Sequence, residues 1–332
     1  MKAVVYQEYG SPDVLELRDV EKPEVADDEL LVRVHATSVN PVDWHTMTGS
    51  PLLVRTQAGL RRPKTQRLGT DFSGTVEGVG KDVTRFREGD EVFGARHGAF
   101  AEYVCVREER AVAAKPARLT FEEAAAVPVA ALTALQGLRD KGRIEPGQRV
   151  VINGASGGVG TFAVQIAKAF GAEVAGVCST GNVELVRELG ADHVVDYTLE
   201  DFTRSERRYD LGLDVAGSRS WSEWKRVLAP DATLVVAGGP KTNRLWGPLG
   251  KGVRMRLASI PGGRSVIGAF LAQVNGADLV ALQELIEAGS VTPVVDRRYV
   301  LDEIADALRY LGQGHARGKI VVSVPDGDSS EC

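Results

Sequence analysis

Gly154-Ala155-Ser156-Gly157-Gly158-Val159-Gly160 joins a short apolar strand, Arg149–Asn153, to a helical run, Thr161–Phe170, and a second strand follows at Glu173–Cys178. Strand, glycine-studded turn, helix and strand in that order make one βαβ unit. Glycines at the first strand-to-helix turn let the backbone approach a ligand closely, and the helix N-terminus offers free N–H groups and a positive dipole end. That combination suits a pyrophosphate, so Gly154, Ser156, Gly157, Gly158, Val159 and Gly160 are candidate cofactor-binding residues. The spacing is G-x-x-G-x-x-G with Gly158 added, not G-x-G-x-x-G, and the flanking strand and helix carry the assignment.

An acidic residue about 20 positions past such glycines grips the ribose 2′-hydroxyl of NAD. Counting on from Gly160 reaches Cys178-Ser179-Thr180-Gly181-Asn182, without an Asp or Glu. Ser179, Thr180 and Asn182 leave room for a 2′-phosphate, and Tyr197 at the end of a third strand, His193–Tyr197, offers a hydroxyl; the expected cofactor is NADPH. No Arg or Lys stands at 179–182 to pair with the phosphate, and Arg187 is a turn further on.

The 332 residues suggest two domains. A net charge of −5 gives no global sign of nucleic-acid binding. The three cysteines, Cys105, Cys178 and Cys332, are scattered without C-x-x-C, which suits a reducing compartment. Met1–Tyr6 reads as a strand, not a signal peptide, and no apolar run reaches the roughly 18–20 residues that span a bilayer. A soluble, cytoplasmic protein is expected, with a polar, frayed tail at Asp326–Cys332.

Residues 1–125 read as strands and turns: Leu30, Val32, Val34 and Ala36 alternate with Leu31, Arg33, His35 and Thr37, and Phe72–Val79, Glu91–Phe93 and Phe100–Val106 are further strands. From Phe121 the texture turns to Ala-rich helix, Glu122–Leu138, with Pro128 as a break. Strands at Arg149–Asn153, Glu173–Cys178, His193–Tyr197, Leu211–Val215, Thr233–Ala237 and Ser265–Ala269 then alternate with helices, as in a doubly wound parallel sheet. A helix at Asp278–Ala288 follows. Val291–Tyr299, helix Asp302–Leu311 and strand Lys319–Val324 resume the character of the first segment. The expected division is a β-rich domain from 1–125 and 289–332, interrupted by a nucleotide-binding domain at 126–288.

Asn40-Pro41-Val42-Asp43-Trp44, Leu68–Gly80, Ala124–Leu138, the glycine turn, Gly190–Tyr197 and Gly318–Val322 occur in an order and spacing that resemble the medium-chain dehydrogenase/reductase superfamily, in its zinc-independent, quinone-oxidoreductase-like branch. The resemblance implies a GroES-like catalytic domain built from both chain ends around a Rossmann domain, catalysis where the two meet, and a homodimer. It implies that Ser156, Gly158, Val159, Ser179 and Tyr197 contact NADPH, with Thr133, Gly238 and Gly239 near the nicotinamide. Where the zinc branch carries Gly-His-Glu this chain has Gly69-Thr70-Asp71, and Asn40 stands in place of the first Cys ligand. Arg85–Val106 contains only Cys105, so the four-cysteine structural lobe is also missing. No metal is expected. The five histidines show no metal-like spacing, and His35 and His193 are expected to be ordinary strand residues.

Without a metal to acidify an alcohol, the expected reaction is reduction of a small electron-poor acceptor: a quinone, or the β-carbon of an α,β-unsaturated carbonyl. A hydrogen-bond donor at the carbonyl oxygen is worth about 3 kcal/mol, and the product needs a proton. Candidates lie in the loop Asn40–His45, between a strand and the next turn: Asn40 as donor to the carbonyl, His45 as acid, since some relatives place a Tyr there, and Asp43 as a brace of that loop or a direct catalyst. Ordinary turn chemistry at Asn40-Pro41 and a solvated His45 are the plain alternatives. Two basic stretches lack acids: Arg55, Arg61, Arg62, Lys64 and Arg67, and Lys241, Arg244, Lys251, Arg254, Arg256 and Arg264. They read as solvated loops or as attractors for an anionic substrate or membrane surface, with Trp246, Leu249 and Met255 suited to an apolar lid. Rival functions are an enoyl-thioester reductase, a zinc alcohol dehydrogenase, disfavoured by its missing ligands, and an NADPH-binding scaffold or sensor with little turnover.

Overall fold

The structure, a computed structural model, describes residues 1–238, 255–256, 265–268 and 270–325. Gly239, Trp246, Leu249, the second basic stretch apart from Arg256, and the tail 326–332 lie outside them. Two compact units form: Met1–Leu132 with Gln273–Ala288 and Pro293–Cys332, and Thr133–Ala272 with Gly289–Thr292.

The first unit is built around Glu29–Val39. Leu30, Val32, Val34 and Ala36 are buried, as the alternation requires, but Thr37 and Ser38 are buried too, so the end of the strand is covered on both faces. This strand pairs antiparallel with three others: Tyr103–Arg107 along its first half, Asp71–Val79 along its length, and Lys319–Ser323 at its end. The sheet order is Val295–Val300, Lys319–Ser323, Glu29–Val39, Asp71–Val79, Glu91–Ala95, Val112–Ala114, so both chain ends share one GroES-like sheet. Its core joins Val4, Phe72, Val92 and Phe100 to Ile304 and Leu308 of the helix Ile304–Gln313. The helix Gly276–Glu287, placed at the end of the nucleotide domain by the sequence, groups instead with this unit. Arg118 donates to the carbonyls of Ile286 and Glu287 there, contacts no local pattern reveals.

The Ala-rich run is two helices, Phe121–Ala125 and Pro128–Gln136, broken where Pro128 lacks an N–H and continued by a π-type turn, Gly137–Lys141. Asn40–His45 is not a loop. Asn40 caps a helix, Pro41–Thr48, whose outward side chains give it little apolar periodicity.

The second unit carries a parallel sheet in the spatial order His193–Asp196, Glu173–Cys178, Arg149–Asn153, Tyr209–Asp214, Leu228–Val236, Ser265–Ile267. In chain order that is 3-2-1-4-5-6, the Rossmann arrangement. Trp224, Phe202, Val227, Leu234 and Met255 pack against one face; Met255 is therefore core and not part of a lid. The helix Gly158–Ala169 starts within the glycine turn. Gly154 has φ +93°, and a Cβ on Gly160 would lie 2.0 Å from the Gly154 carbonyl oxygen. Gly157 is different: the nearest atom to its hypothetical Cβ is 3.6 Å away.

Gly160→Ala is expected to lower stability by roughly 1–3 kcal/mol, because backbone must move to admit the methyl group, whereas Gly157→Ala should melt like wild type. Paired thermal unfolding curves test this; equal melting of the two variants would contradict the packing.

Candidate functional site

In the second unit, Ser156, Gly157, Gly158 and Val159 are partly exposed while Gly160 is buried beneath them. The opening N–H groups of a helix have no intrahelical partner, and at Gly157 only the Gly154 carbonyl oxygen comes within 4 Å of a hypothetical Cβ, at 3.6 Å. A diphosphate fits this cradle. The Asn182 amide donates to the hydroxyls of Ser156 and Ser179, each at 3.1 Å, and so ties the turn to the end of the second strand. Its Oδ1 is buried without a partner among the described residues. Thr180 bonds Thr198 at 2.8 Å, and Tyr197 is 54% exposed just past the third strand, which ends at Asp196. Arg187, the one nearby cation, is paired with Glu184.

Asp196 escaped the sequence scan because it comes from the neighbouring strand, where parallel register sets it opposite Cys178. Hydrogen bonds from Thr180 and Thr198 hold its carboxyl below the usual range despite burial. At the other strand ends, Asp214 receives Asn153 Nδ2 at 2.7 Å, the Gly217 N–H at 2.8 Å and the Trp224 indole at 3.2 Å. Gly238 packs so closely on Val215 that a Cβ would sit 1.9 Å from its carbonyl oxygen. Thr133 is half-buried on the helix Pro128–Gln136.

In the first unit, register builds a polar cluster in an otherwise apolar interior. Ser38 lies opposite Asp71, and Val39 opposite Ile320, which brings Lys319 to Asn40. Asp71 accepts from Asn40 Nδ2 at 2.8 Å, Ser38 Oγ at 2.9 Å, Lys319 Nζ at 3.4 Å and the Val129 N–H at 3.0 Å. That last donor is an orphan N–H at the start of the helix Pro128–Gln136, whose dipole also favours an anion. Lys319 donates further to Asn40 Oδ1 at 2.5 Å and to the Val39 carbonyl at 3.4 Å. Asn40, Asp43, Asp71 and Lys319 are each no more than 3% exposed.

Asn40 is therefore not presenting its amide to a substrate carbonyl; both ends of that amide are committed to Asp71, Ser38 and Lys319. Asp43 accepts the Asn40 N–H at 2.8 Å and the Thr70 hydroxyl at 2.7 Å. Burial pushes its carboxyl up to about 7, aided by Asp71 and opposed by the Thr70 and Asn40 bonds and by Lys319. Burial lowers the Lys319 ammonium, against the pull of Asp71 and Asp43. His45 is half-buried, and its Nδ1 lies 2.6 Å from the Ser50 carbonyl oxygen. A carbonyl only accepts, so Nδ1 carries a proton. His35 bonds Thr75 and His193 bonds Glu173, both as ordinary strand residues.

Sequence reasoning missed Lys319, Thr70 and Ser38 as members of this cluster. The available signal was a lysine opening an apolar strand, Gly318-Lys319-Ile320-Val321-Val322, and an aspartate opening another, since buried charges need partners. Among the described residues no three His, Cys, Asp or Glu side chains converge as metal ligands.

Against known proteins, a family model described as a zinc-binding dehydrogenase matches residues 189–322, and one described as an alcohol dehydrogenase GroES-like domain matches residues 26–117. A 2-methylene-furan-3-one reductase of Solanum lycopersicum is 36% identical over 337 residues, covering 97% of this chain and 79% of its own. A chloroplastic NADPH-dependent alkenal/one oxidoreductase of Arabidopsis thaliana is 35% identical over 337 residues, with the same 97% and 79% coverage. The solved quinone oxidoreductase of Coxiella burnetii superposes with a TM-score of 0.85 at 30% identity, covering 98% of this chain and 99% of that one.

Lys319→Met should destabilise the protein by about 3–5 kcal/mol, the cost of leaving a buried charge without its partner. Adding Asp71→Asn to that variant should restore part of the loss. Urea unfolding of the single and double variants reads both, and additive losses would mean that the pair is not coupled.

Proposed function

Since the chain belongs to the medium-chain dehydrogenase/reductase superfamily, in its quinone-oxidoreductase-like branch, and is an oxidoreductase, we propose that it reduces a quinone or an α,β-unsaturated carbonyl with NADPH and without zinc. The observation that carries the zinc-free reading is the state of the residues at the metal-ligand positions. Asn40 is held by Lys319 and Asp71, Thr70 donates to Asp43, and the Lys319 ammonium lies 3.4 Å from Asp71. A zinc ion there would face an ammonium instead of a third ligand, so the donor set does not fit it. Bound reduced nicotinamide would supply the hydride. The chain's own residues cup the diphosphate at Ser156–Gly160 and offer Ser179, Thr180, Asn182 and Tyr197 to the adenosine ribose. Thr133 and Gly238 are proposed to flank the nicotinamide. The names borne by the tomato and Arabidopsis relatives favour an enone acceptor.

NADPH over NADH rests on the absence of acid at 178–182 and on the small hydroxyls there. The partnerless Asn182 Oδ1 favours the opposite choice, since an acceptor suits a ribose hydroxyl and not a phosphate. Arg61, Arg62 and Lys64 are exposed and would also receive an anionic thioester, the enoyl-thioester alternative. We place the protein in the cytoplasm, where its free thiols Cys105 and Cys178 stay reduced, and as a homodimer joined along Ser265–Ile267, the last strand in its sheet.

A panel of small quinones, enones and enoyl thioesters, each with NADPH beside NADH and with or without a chelator, separates these readings. Loss of reduced-nicotinamide absorbance with enones or quinones, faster with NADPH and indifferent to chelator, is expected. Turnover that requires zinc would overturn the metal-free reading, and cofactor binding without oxidation of any acceptor would identify a sensor or scaffold.

A further inference from the structure

A cavity of about 930 Å³ lies wholly within the first unit, lined by Val5 and by residues 20–24, 65–67 and 96–97. None of these belongs to the glycine turn or to the cluster around Asp71. That volume suits a small organic ligand. The main chain holds each lining segment in place. Met1 and Val20 exchange two hydrogen bonds at 2.9 Å, and the Glu24 carbonyl accepts the Cys105 thiol at 3.6 Å. The Tyr6 N–H donates to the Gln66 carbonyl at 2.9 Å, and the Arg96 N–H to the Thr70 carbonyl at 2.7 Å. Val5, Val20 and Pro23 supply apolar lining, while Thr65 Oγ1 and His97 Nε2 are hydrogen-bonded to each other at 2.7 Å.

Two guanidiniums line this cavity without a close counter-ion. Arg67 makes neither a hydrogen bond nor an ion pair among the described residues. Its side chain lies along the turn that follows Arg96, since a Cβ on Gly98 would be 3.5 Å from Arg67 Cβ and 3.7 Å from its Nε. Arg96 reaches the Glu29 carboxylate only at 3.9 Å, and Glu29 is also 3.9 Å from Arg107. Both positive charges act on the same neighbours. After burial, they hold the His97 imidazole below its ordinary value, and they oppose the rise of the Cys105 thiol, pushed up to about 11 by burial first and then by Glu29. Like charges held together beside one cavity leave a place for an anion, and guanidiniums grip a carboxylate or phosphate through paired N–H donors.

We propose that this cavity binds a small organic anion, its single carboxylate or phosphate head held by Arg67 and Arg96 and its apolar body against Val5, Val20 and Pro23. Lys22 also lines the cavity, but its ammonium is committed to Glu77 and to the Tyr103 ring, 3.8 Å from the centroid. Glu21 and Glu24 line it too and pair with neither guanidinium among the described residues. Their carboxylates set a charge limit. One anionic head is met by the arginines, whereas a second would face like charge, so a polyphosphate is disfavoured.

Calorimetric titration of the full chain with phenyl phosphate, benzoate and inorganic phosphate tests this, each with and without NADPH. Phenyl phosphate or benzoate should bind at a single site whether or not NADPH is present, and more tightly than inorganic phosphate. Arg67→Gln should weaken that binding roughly tenfold or more, the worth of a charge-assisted hydrogen bond. Arg67→Lys, which keeps the charge but not the paired donors, should recover part of it. Arg61→Gln, which removes an exposed cation outside the cavity, should leave binding unchanged. Because Arg67 has no partner to lose, Arg67→Gln should melt like wild type, which separates lost binding from lost fold. Absence of binding by both organic anions up to millimolar concentration overturns the proposal, as does binding that NADPH displaces or that Arg61→Gln and Arg67→Gln weaken equally. Inorganic phosphate bound as tightly as phenyl phosphate removes the apolar body, and with it the organic ligand.

Discussion

A lysine with no route to water holds the first unit in register. Lys319 and Asp71 stand 248 residues apart in sequence and meet only because Glu29–Val39 pairs with both of their strands at once. Sliding either strand by one residue would turn its side chains to the opposite face, stranding an ammonium or a carboxylate in an apolar interior. Burying such a pair adds little net stability over an apolar core, because desolvation offsets most of the attraction. Its consequence here is selectivity: competing registers are penalised by several kcal/mol while the native one satisfies every donor on Lys319. The same contact fastens the returning C-terminal segment to the N-terminal sheet, so the unit closes only when both chain ends are in place.

The second unit depends on close backbone approach instead of charge. Gly160 against Gly154, and Gly238 against Val215, are contacts that any side chain would prevent. They bring the helix start and the ends of the strands to one edge of the sheet, where Asp214 draws together groups from the strand Arg149–Asn153, the loop at Gly217 and the helix Trp221–Val227. The glycine turn is thus held by backbone packing, and any ligand proposed for it would meet little ordering cost.

Local signals carried most of the architecture. Period-two alternation marked the central strand, glycines marked the nucleotide turn, and Pro128 marked the helix break, since each acts through its immediate neighbours. Pairings across distant chain segments were illegible. Nothing around Lys319 announces that Asn40 and Asp71 will receive it, and nothing in 178–182 announces Asp196. The helix at Pro41–Thr48 was hidden for a different reason: only Asp43 and Met47 are buried on it, so it lacks the apolar stripe that periodicity detects. Asn40 stood out in the sequence as a donor to a substrate carbonyl, and its neighbours, invisible in the sequence, commit both ends of its amide inside the protein.

Those neighbours also divide the labour between two carboxyls of the same chemical type. Asp71 collects four donors: an ammonium, an amide, a hydroxyl and a helix N-terminal N–H. Asp43, one helix turn past Asn40, receives a single backbone N–H and the Thr70 hydroxyl, and Asp71's charge stands against a second anion nearby. Burial pushes the Asp43 carboxyl up to about 7, with Asp71 adding to the rise and Lys319 opposing it. Here Asp71 ties the two chain ends of the first unit together, and Asp43 lies behind the half-buried Thr70 hydroxyl.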